Sequence, residues 1–146
     1  MKYDIHTLKN GLRVVLIPMR DSKTATAIVM TGTGARFESE QENGIAHFLE
    51  HMYFKGTSKR PNAKAISAEL DGLGAISNAF TAKDRTAYYA KASSEQIGRA
   101  LDVIADIFLD SKLSAKEIDK ERGAIIQEIN MYEDMPARNV DVLFEA

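Results

Sequence analysis

The sequence predicts an α+β fold in which a largely antiparallel mixed sheet carries helices packed on one face. Two observations carry this prediction: the strand-like segments include pairs joined by short turns, and the longer amphipathic segments are partly segregated from them. This order favours α+β over a doubly wound fold. The 146 residues suffice for one domain with a substantial core.

Five segments are predicted strands, at residues 3–8, 12–17, 25–31, 75–80 and 86–91. Apolar and polar residues alternate in the first segment, as in a half-buried strand. Asn10-Gly11 separates the first two segments and is a preferred dipeptide of tight hairpin turns. The third segment is rich in β-branched residues. The last two are predicted to form a second pair.

Four segments are predicted helices, at residues 43–54, 63–73, 94–109 and 114–132. Asn43 is the expected N-cap of the first helix, and Asn62 precedes the second, which Gly74 closes. Ser114 and Glu117 have the spacing of a capping box at the start of the last helix. Local start and stop signals therefore define most of the helical boundaries.

Composition excludes several function classes. The 19 basic and 21 acidic residues give a net charge of −2, and no Lys/Arg run indicates nucleic acid or an anionic membrane as a partner. With no apolar signal core and no membrane-length apolar run, a cytoplasmic location is expected. The chain has no cysteine, so a bound metal would need His and carboxylate ligands.

The segment His47-Phe48-Leu49-Glu50-His51 is the most informative part of the chain. At about 100° per residue in a helix, its three polar side chains point to about 0°, 300° and 40°, on one side. Two imidazoles one turn apart can bind one divalent cation, and the neighbouring carboxylate can act as a base. H-x-x-E-H is the inverted zincin signature.

An ordinary amphipathic helix with a solvated polar face is the alternative interpretation of this pentad. Its opposite arc is apolar, with Ile45, Phe48, Leu49 and Met52. A catalytic zinc needs three protein ligands and one open position for water. A third ligand elsewhere in the sequence would therefore favour the metal site.

Glu121 and Glu128 are the candidates for that ligand. They lie seven residues apart, along one edge of the apolar stripe of the predicted helix 114–132. Carboxylates bordering a buried face are costly unless a cation or hydrogen bonds satisfy them. Each alone could be a boundary glutamate reaching solvent, whereas the stacked pair indicates a ligand and a supporting carboxylate. This ligand set suits zinc, although manganese or cobalt could also bind.

Together these features resemble the pitrilysin-type metallopeptidases, and most closely their bacterial processing-peptidase-like branch. The resemblance covers essentially the whole chain and is more specific than the pentad alone. It rests on residues 43–57 around the pentad, on Asn78-Ala79-Phe80-Thr81, on Tyr88-Tyr89-Ala90-Lys91, and on residues 121–136 with their two glutamates.

The resemblance implies a role for each residue of the metal set. His47 and His51 are expected to bind zinc, and Glu128 is expected to be the third ligand. Glu50 is expected to activate the water that attacks the peptide bond. Glu121 is expected to be a second functional glutamate, which orients a ligand or relays protons.

The resemblance also implies a substrate site. Asn78 and Ala79 are expected to bind substrate, because in the family the backbone of this strand pairs with an extended peptide. Asn78 could instead be an ordinary strand-end residue. The expected function is that of a zinc-dependent endopeptidase acting on peptides or small proteins in extended conformation.

Family members are much longer and are built from two similar halves. Residues 1–146 are therefore expected to be the N-terminal part of the catalytic domain, ending abruptly at Phe144-Glu145-Ala146 and inactive in isolation. The second half of the same protein is then an expected partner, and a homodimer stays open. The alternatives are a non-catalytic partner or scaffold subunit, or a regulatory or peptide-binding module. Silent members typically lose metal residues, and all are present here.

Overall fold

The computed structural model describes residues 2–137, 140 and 144. This part of the chain forms two antiparallel sheets and four α-helices. The strands are β1 (Asp4–Thr7), β2 (Arg13–Leu16), β3 (Thr24–Thr31), β4 (Ile76–Thr81) and β5 (Thr86–Ser93). The helices are α1 (Ile45–Tyr53), α2 (Ala63–Gly72), α3 (Ile97–Leu109) and α4 (Ala115–Glu133).

The two-stranded sheet is the hairpin β1–β2, in which Ile5 lies opposite Val15. Its turn contains Gly11 at φ +86°, in the left-handed region that glycine adopts without steric cost. The side-chain oxygen of Asn10 accepts a hydrogen bond from the backbone N–H of Leu12 at 3.1 Å. The hairpin predicted from Asn10-Gly11 is therefore confirmed.

The three-stranded sheet has the order β3-β5-β4, with both pairs antiparallel. α3 packs against β5 and β3, and α1 and α2 pack against β4. Burial alternates along β3 and β4, so one face of the sheet meets the helices and the other is open to solvent. The prediction of an α+β fold with helices on one face is confirmed. The core consists of Ile66, Leu70, Leu73, Tyr88, Ala90, Ala92, Ala100, Val103, Ile104 and Ile107.

All nine predicted elements are present, with shifted ends. β5 continues to Ser93, beyond the predicted residue 91, and α3 begins at Ile97 instead of residue 94. A turn accounts for both shifts, since the N–H of Gln96 donates to the carbonyl of Ser93 at 3.0 Å. The predicted start of α2 is correct, because the Asn62 side chain accepts from Ala65 N–H at 3.0 Å.

α4 differs from its prediction in its packing. Ser114 caps the helix, as its hydroxyl accepts from the N–H of Glu117, but the Glu117 carboxylate pairs with Lys120 at 2.9 Å and not with the cap. Of the predicted apolar stripe, Ile125 is buried whereas Ile129 is 47% exposed. Among the described elements α4 packs mainly against α1, so the C-terminal half of its stripe lies open.

Across the described residues, the helices are too short or too polar to traverse a lipid bilayer. Phe144 is helical and exposed. Residues 145 and 146, at the predicted abrupt end of the chain, lie outside the described residues.

Candidate metal centre

The start of α1 is fixed by a glycine and a carboxylate. Gly44 is the N-cap, at φ +89°, so the predicted cap Asn43 is wrong by one residue. The Glu38 carboxylate accepts hydrogen bonds from the N–H groups of Gly44 at 2.6 Å and Ala46 at 2.8 Å. A carboxylate satisfies free N–H groups at a helix start and interacts favourably with the helix dipole. The pentad therefore begins in a well-defined first turn.

Three donor atoms converge between α1 and α4. His47 Nε2 and His51 Nε2 are 3.2 Å apart. Glu128 Oε2 lies 3.3 Å from His51 Nε2 and 3.9 Å from His47 Nε2. Bonds of zinc at tetrahedral angles place ligand atoms about 3.3 Å apart. The three side chains are only partly buried, which leaves room for a fourth ligand from solvent. The residues present therefore fit a zinc ion, and they are the three that the sequence predicted as ligands.

The other ring nitrogen of His51, Nδ1, is hydrogen-bonded to Glu121. Nδ1 donates to Glu121 Oε1 at 2.9 Å, so Nε2 keeps its lone pair on the side of the other two donors. Glu121 is 7% exposed, and its other oxygen lies 2.6 Å from Lys55 Nζ. Burial opposes ionisation of Glu121, but the hydrogen bonds from Lys55 and His51 outweigh it and hold its pKa below the ordinary value.

Glu50, the predicted base, lies on α1 between the two histidines and reaches β4. Its carboxylate accepts a hydrogen bond from the Thr81 hydroxyl at 2.5 Å. α1 packs against β4, which is why a residue of the sheet contacts the pentad. Sequence reasoning did not assign Thr81 a role, although the strand that ends with this residue had been singled out.

The predicted substrate residues lie on β4, the strand against which α1 packs. β4 is an edge strand, because within the described ranges only β5 pairs with it. Asn78 is exposed on the open face of the sheet, and its side-chain oxygen accepts from the N–H of Ala79 at 2.9 Å. A free strand edge can pair with an extended peptide.

A buried ion network anchors the backbone after α1, and sequence reasoning missed it. Arg60 is 6% exposed and donates to Glu69, Asp102 and Asp106. Asp106 also accepts from the Thr57 hydroxyl at 2.6 Å. These hydrogen bonds, led by the one to Glu69, raise the pKa of Arg60, so its charge is permanent. The acidic partners lie 9 to 46 residues from Arg60, and Thr57 lies 49 residues from Asp106, which explains why no local pattern revealed the network.

The chain belongs to the insulinase family, peptidase family M16, whose family model matches residues 13–146. The family predicted from the sequence motifs is thus confirmed. The geometry of the site is therefore that of one region of an M16 protein.

Three comparisons show the range of its relatives. An uncharacterized zinc protease of Bacillus subtilis, YmxG, is 45% identical over 131 residues, which cover 90% of this chain and 32% of that protein. Cytochrome b-c1 complex subunit 1 of Caenorhabditis elegans is 44% identical over 131 residues, 90% of this chain and 27% of that one. A protease structure from Helicobacter pylori has a TM-score of 0.85 at 32% identity, covering 91% of this chain and 32% of that one. The chain thus spans about a third of these proteins or less.

Proposed function

We propose that this chain carries the metal-binding and catalytic residues of a zinc-dependent endopeptidase. The observation that supports the proposal most is the convergence of His47, His51 and Glu128 within a few ångströms, with Glu50 between the two histidines on α1. The name of the Bacillus relative, a zinc protease, agrees with it. The chain spans 32% of the Bacillus relative, and we propose that a second half of the same polypeptide completes the active site.

The chemistry follows from the donors and the neighbouring carboxylates. Zinc, when bound, lowers the pKa of water and polarises the scissile carbonyl. Glu50 takes a proton from the attacking water and passes it to the leaving amine, first as general base and then as general acid. Thr81 restricts the carboxylate of Glu50 through its hydrogen bond. Glu121 fixes the ring of His51 so that Nε2 faces the other donors.

The substrate is an extended peptide or a small protein with an extended segment. β4 offers the free edge of the sheet, and Asn78 and Ala79 lie in the middle of this strand. Main-chain hydrogen bonds along a strand edge bind peptides with little dependence on sequence. We therefore assign Asn78 and Ala79 to substrate binding. As a separate proposal, the protein acts in the cytoplasm.

Replacing Glu50 by Gln in the full-length protein tests the proposal. The variant keeps the size and hydrogen-bonding capacity of the side chain but cannot take up the proton. We expect kcat on unstructured peptides to fall by about 10²–10⁴-fold, with zinc content unchanged. Glu95→Gln, at an exposed glutamate in the turn between β5 and α3, is the matched control. Turnover by Glu50→Gln at the control rate would remove Glu50 from the mechanism.

A non-catalytic subunit of the same fold is the second candidate function. The cytochrome b-c1 complex subunit in Caenorhabditis elegans is as similar to this chain as the Bacillus zinc protease is. The same peptidase assay separates the two candidates. A full-length wild-type protein that binds zinc and peptide but cleaves nothing would support the scaffold or peptide-binding function, and measurable cleavage would exclude it. A homodimer is compatible with either function.

A further inference from the structure

Lys55 connects the end of α1 to α4 through one carboxylate. Its ammonium lies 2.6 Å from Glu121 Oε2, while the other oxygen of Glu121 accepts from His51 Nδ1 at 2.9 Å. Glu121 is buried, so these two contacts take the place of solvent around the carboxylate. One side chain therefore constrains both a candidate ligand and the helix that carries the third ligand.

The backbone that follows Lys55 is itself held by hydrogen bonds. Thr57 is fully buried, and its N–H donates to the Arg60 carbonyl at 2.7 Å. The Gly56 carbonyl accepts from the N–H of Lys112 at 3.0 Å. Gly56 adopts φ +139°, a conformation that side chains disfavour. These contacts fix the position of the Lys55 backbone independently of the contact that its side chain makes with α4.

α4 depends on few buried groups for its place beside α1. Glu121 and Ile125 are its buried residues in the described part of the chain, and the pair Lys55–Glu121 joins α4 to the residues just after α1. Glu128 lies two turns further along the same helix. A change that loosens the first half of α4 therefore moves Glu128 relative to the two histidines.

We propose that Lys55 is a positioning residue of the metal centre, acting through Glu121 to orient His51 and to hold Glu128 within reach. This inference rests on the proposed function, because it takes His51 and Glu128 as zinc ligands. A purely electrostatic role would have the opposite sign, since removal of a nearby positive charge strengthens the binding of a divalent cation. The sign of the change in zinc affinity thus distinguishes positioning from simple charge.

The test measures zinc affinity in the full chain by competition with a chromophoric chelator. For Lys55→Met we expect zinc to bind about tenfold more weakly, the low end of effects seen when residues supporting a ligand are removed. Lys55→Arg, which keeps a cation that can reach Glu121, should restore most of the affinity. Lys64→Met is the matched control, because Lys64 is exposed and makes no ion pair among the described residues.

Two further measurements make the route through Glu121 testable. In a Glu121→Gln background, Lys55→Met should cause little additional loss of affinity, because the two changes remove one interaction. Hydrogen exchange of the α4 amides in the metal-free protein should be faster in Lys55→Met than in the control. Lys55→Gln is a second variant for the same zinc-affinity and hydrogen-exchange measurements, to be used if Lys55→Met does not fold.

Unchanged or tighter zinc binding by folded Lys55→Met or Lys55→Gln would overturn the positioning role. So would a full additional loss in the Glu121→Gln background. Failure of the wild-type chain to bind zinc at all would have a different meaning. It would overturn the proposed function, and the role of Lys55 with it.

Discussion

Replacing Arg60 by Met removes the centre of the buried ion network. Its guanidinium donates to Asp106 at 2.7 Å, to Asp102 at 2.8 Å and to Glu69 at 2.8 and 2.9 Å. The change leaves Asp106, 7% exposed, with the Thr57 hydroxyl as its remaining side-chain donor. Removing one partner of a buried ion pair costs about 3–5 kcal/mol, whereas the more exposed partners add little. We expect the free energy of unfolding at pH 7 to fall by about this amount.

The three carboxylates around Arg60 make the stability of the wild-type protein depend on pH. Hydrogen bonds from Arg60 hold the pKa of Glu69 and of Asp102 below their ordinary values. Burial opposes ionisation of Asp106, but the hydrogen bonds from Thr57 and Arg60 outweigh it, so its pKa is also lowered. A lowered carboxyl pKa stabilises the fold above the unfolded-state pKa, about 4, and this stability is lost as pH falls through the folded-state values. The wild-type protein should therefore lose stability below about pH 4.

In Arg60→Met the buried Asp106 keeps its desolvation cost without the cation. Its pKa should rise, so the destabilisation is largest near pH 7 and shrinks on acidification. Urea denaturation followed by circular dichroism at pH 7 and pH 4 measures both effects. Arg20→Met, at an exposed arginine, is the control. A loss below about 1 kcal/mol at pH 7, or a loss that grows on acidification, would be inconsistent with a buried Asp106 that depends on Arg60.

Two further substitutions test the surroundings of the centre. Gly56→Ala should lower the free energy of unfolding by about 1–3 kcal/mol, because the added Cβ would lie 2.6 Å from the Pro61 carbonyl oxygen at φ +139°. Gly98→Ala has open space around the new Cβ, and equal stability of the two variants in thermal unfolding would contradict the strain. Thr81→Val removes the hydroxyl that donates to Glu50, so kcat should fall about tenfold or more while zinc content stays constant. Wild-type kcat would show that this hydrogen bond does not orient the base.

The fold could be predicted where its signals are local. Asn10-Gly11 predicted the first hairpin, and the Asn62 cap predicted the start of α2. The cap of α1 was misplaced because it depends on a carboxylate, Glu38, six residues before Gly44 in an irregular segment. The open half of the α4 stripe could not be foreseen, since periodicity shows which residues share a face but not how far a partner covers it.

The residues of the site, like the elements of the fold, could be predicted where their signals are local in the sequence. His47, Glu50 and His51 share a helix, so their common face follows from helical geometry alone. Glu121 and Glu128 could be named from their spacing on another helix, but only the fold shows that this helix lies beside α1.

Contacts between elements distant in sequence could not be predicted. Lys55 with Glu121 and Thr81 with Glu50 are separated by 66 and 31 residues. Neither Lys55 nor Thr81 belongs to a motif that indicates its partner. Their roles therefore emerge from the packing of α1 against α4 and β4.

The zinc content of the purified full chain, measured by elemental analysis after dialysis, shows whether His47, His51 and Glu128 together hold one ion. Wild-type protein and the control Glu95→Ala should each retain about one zinc per chain, as expected of a three-ligand site, and Glu128→Ala should lose most of it. His51→Ala should behave like Glu128→Ala, and His6→Ala, at the exposed histidine of β1, like the wild type. Full zinc occupancy in folded Glu128→Ala would contradict the account, because the third donor would then play no part in holding the ion.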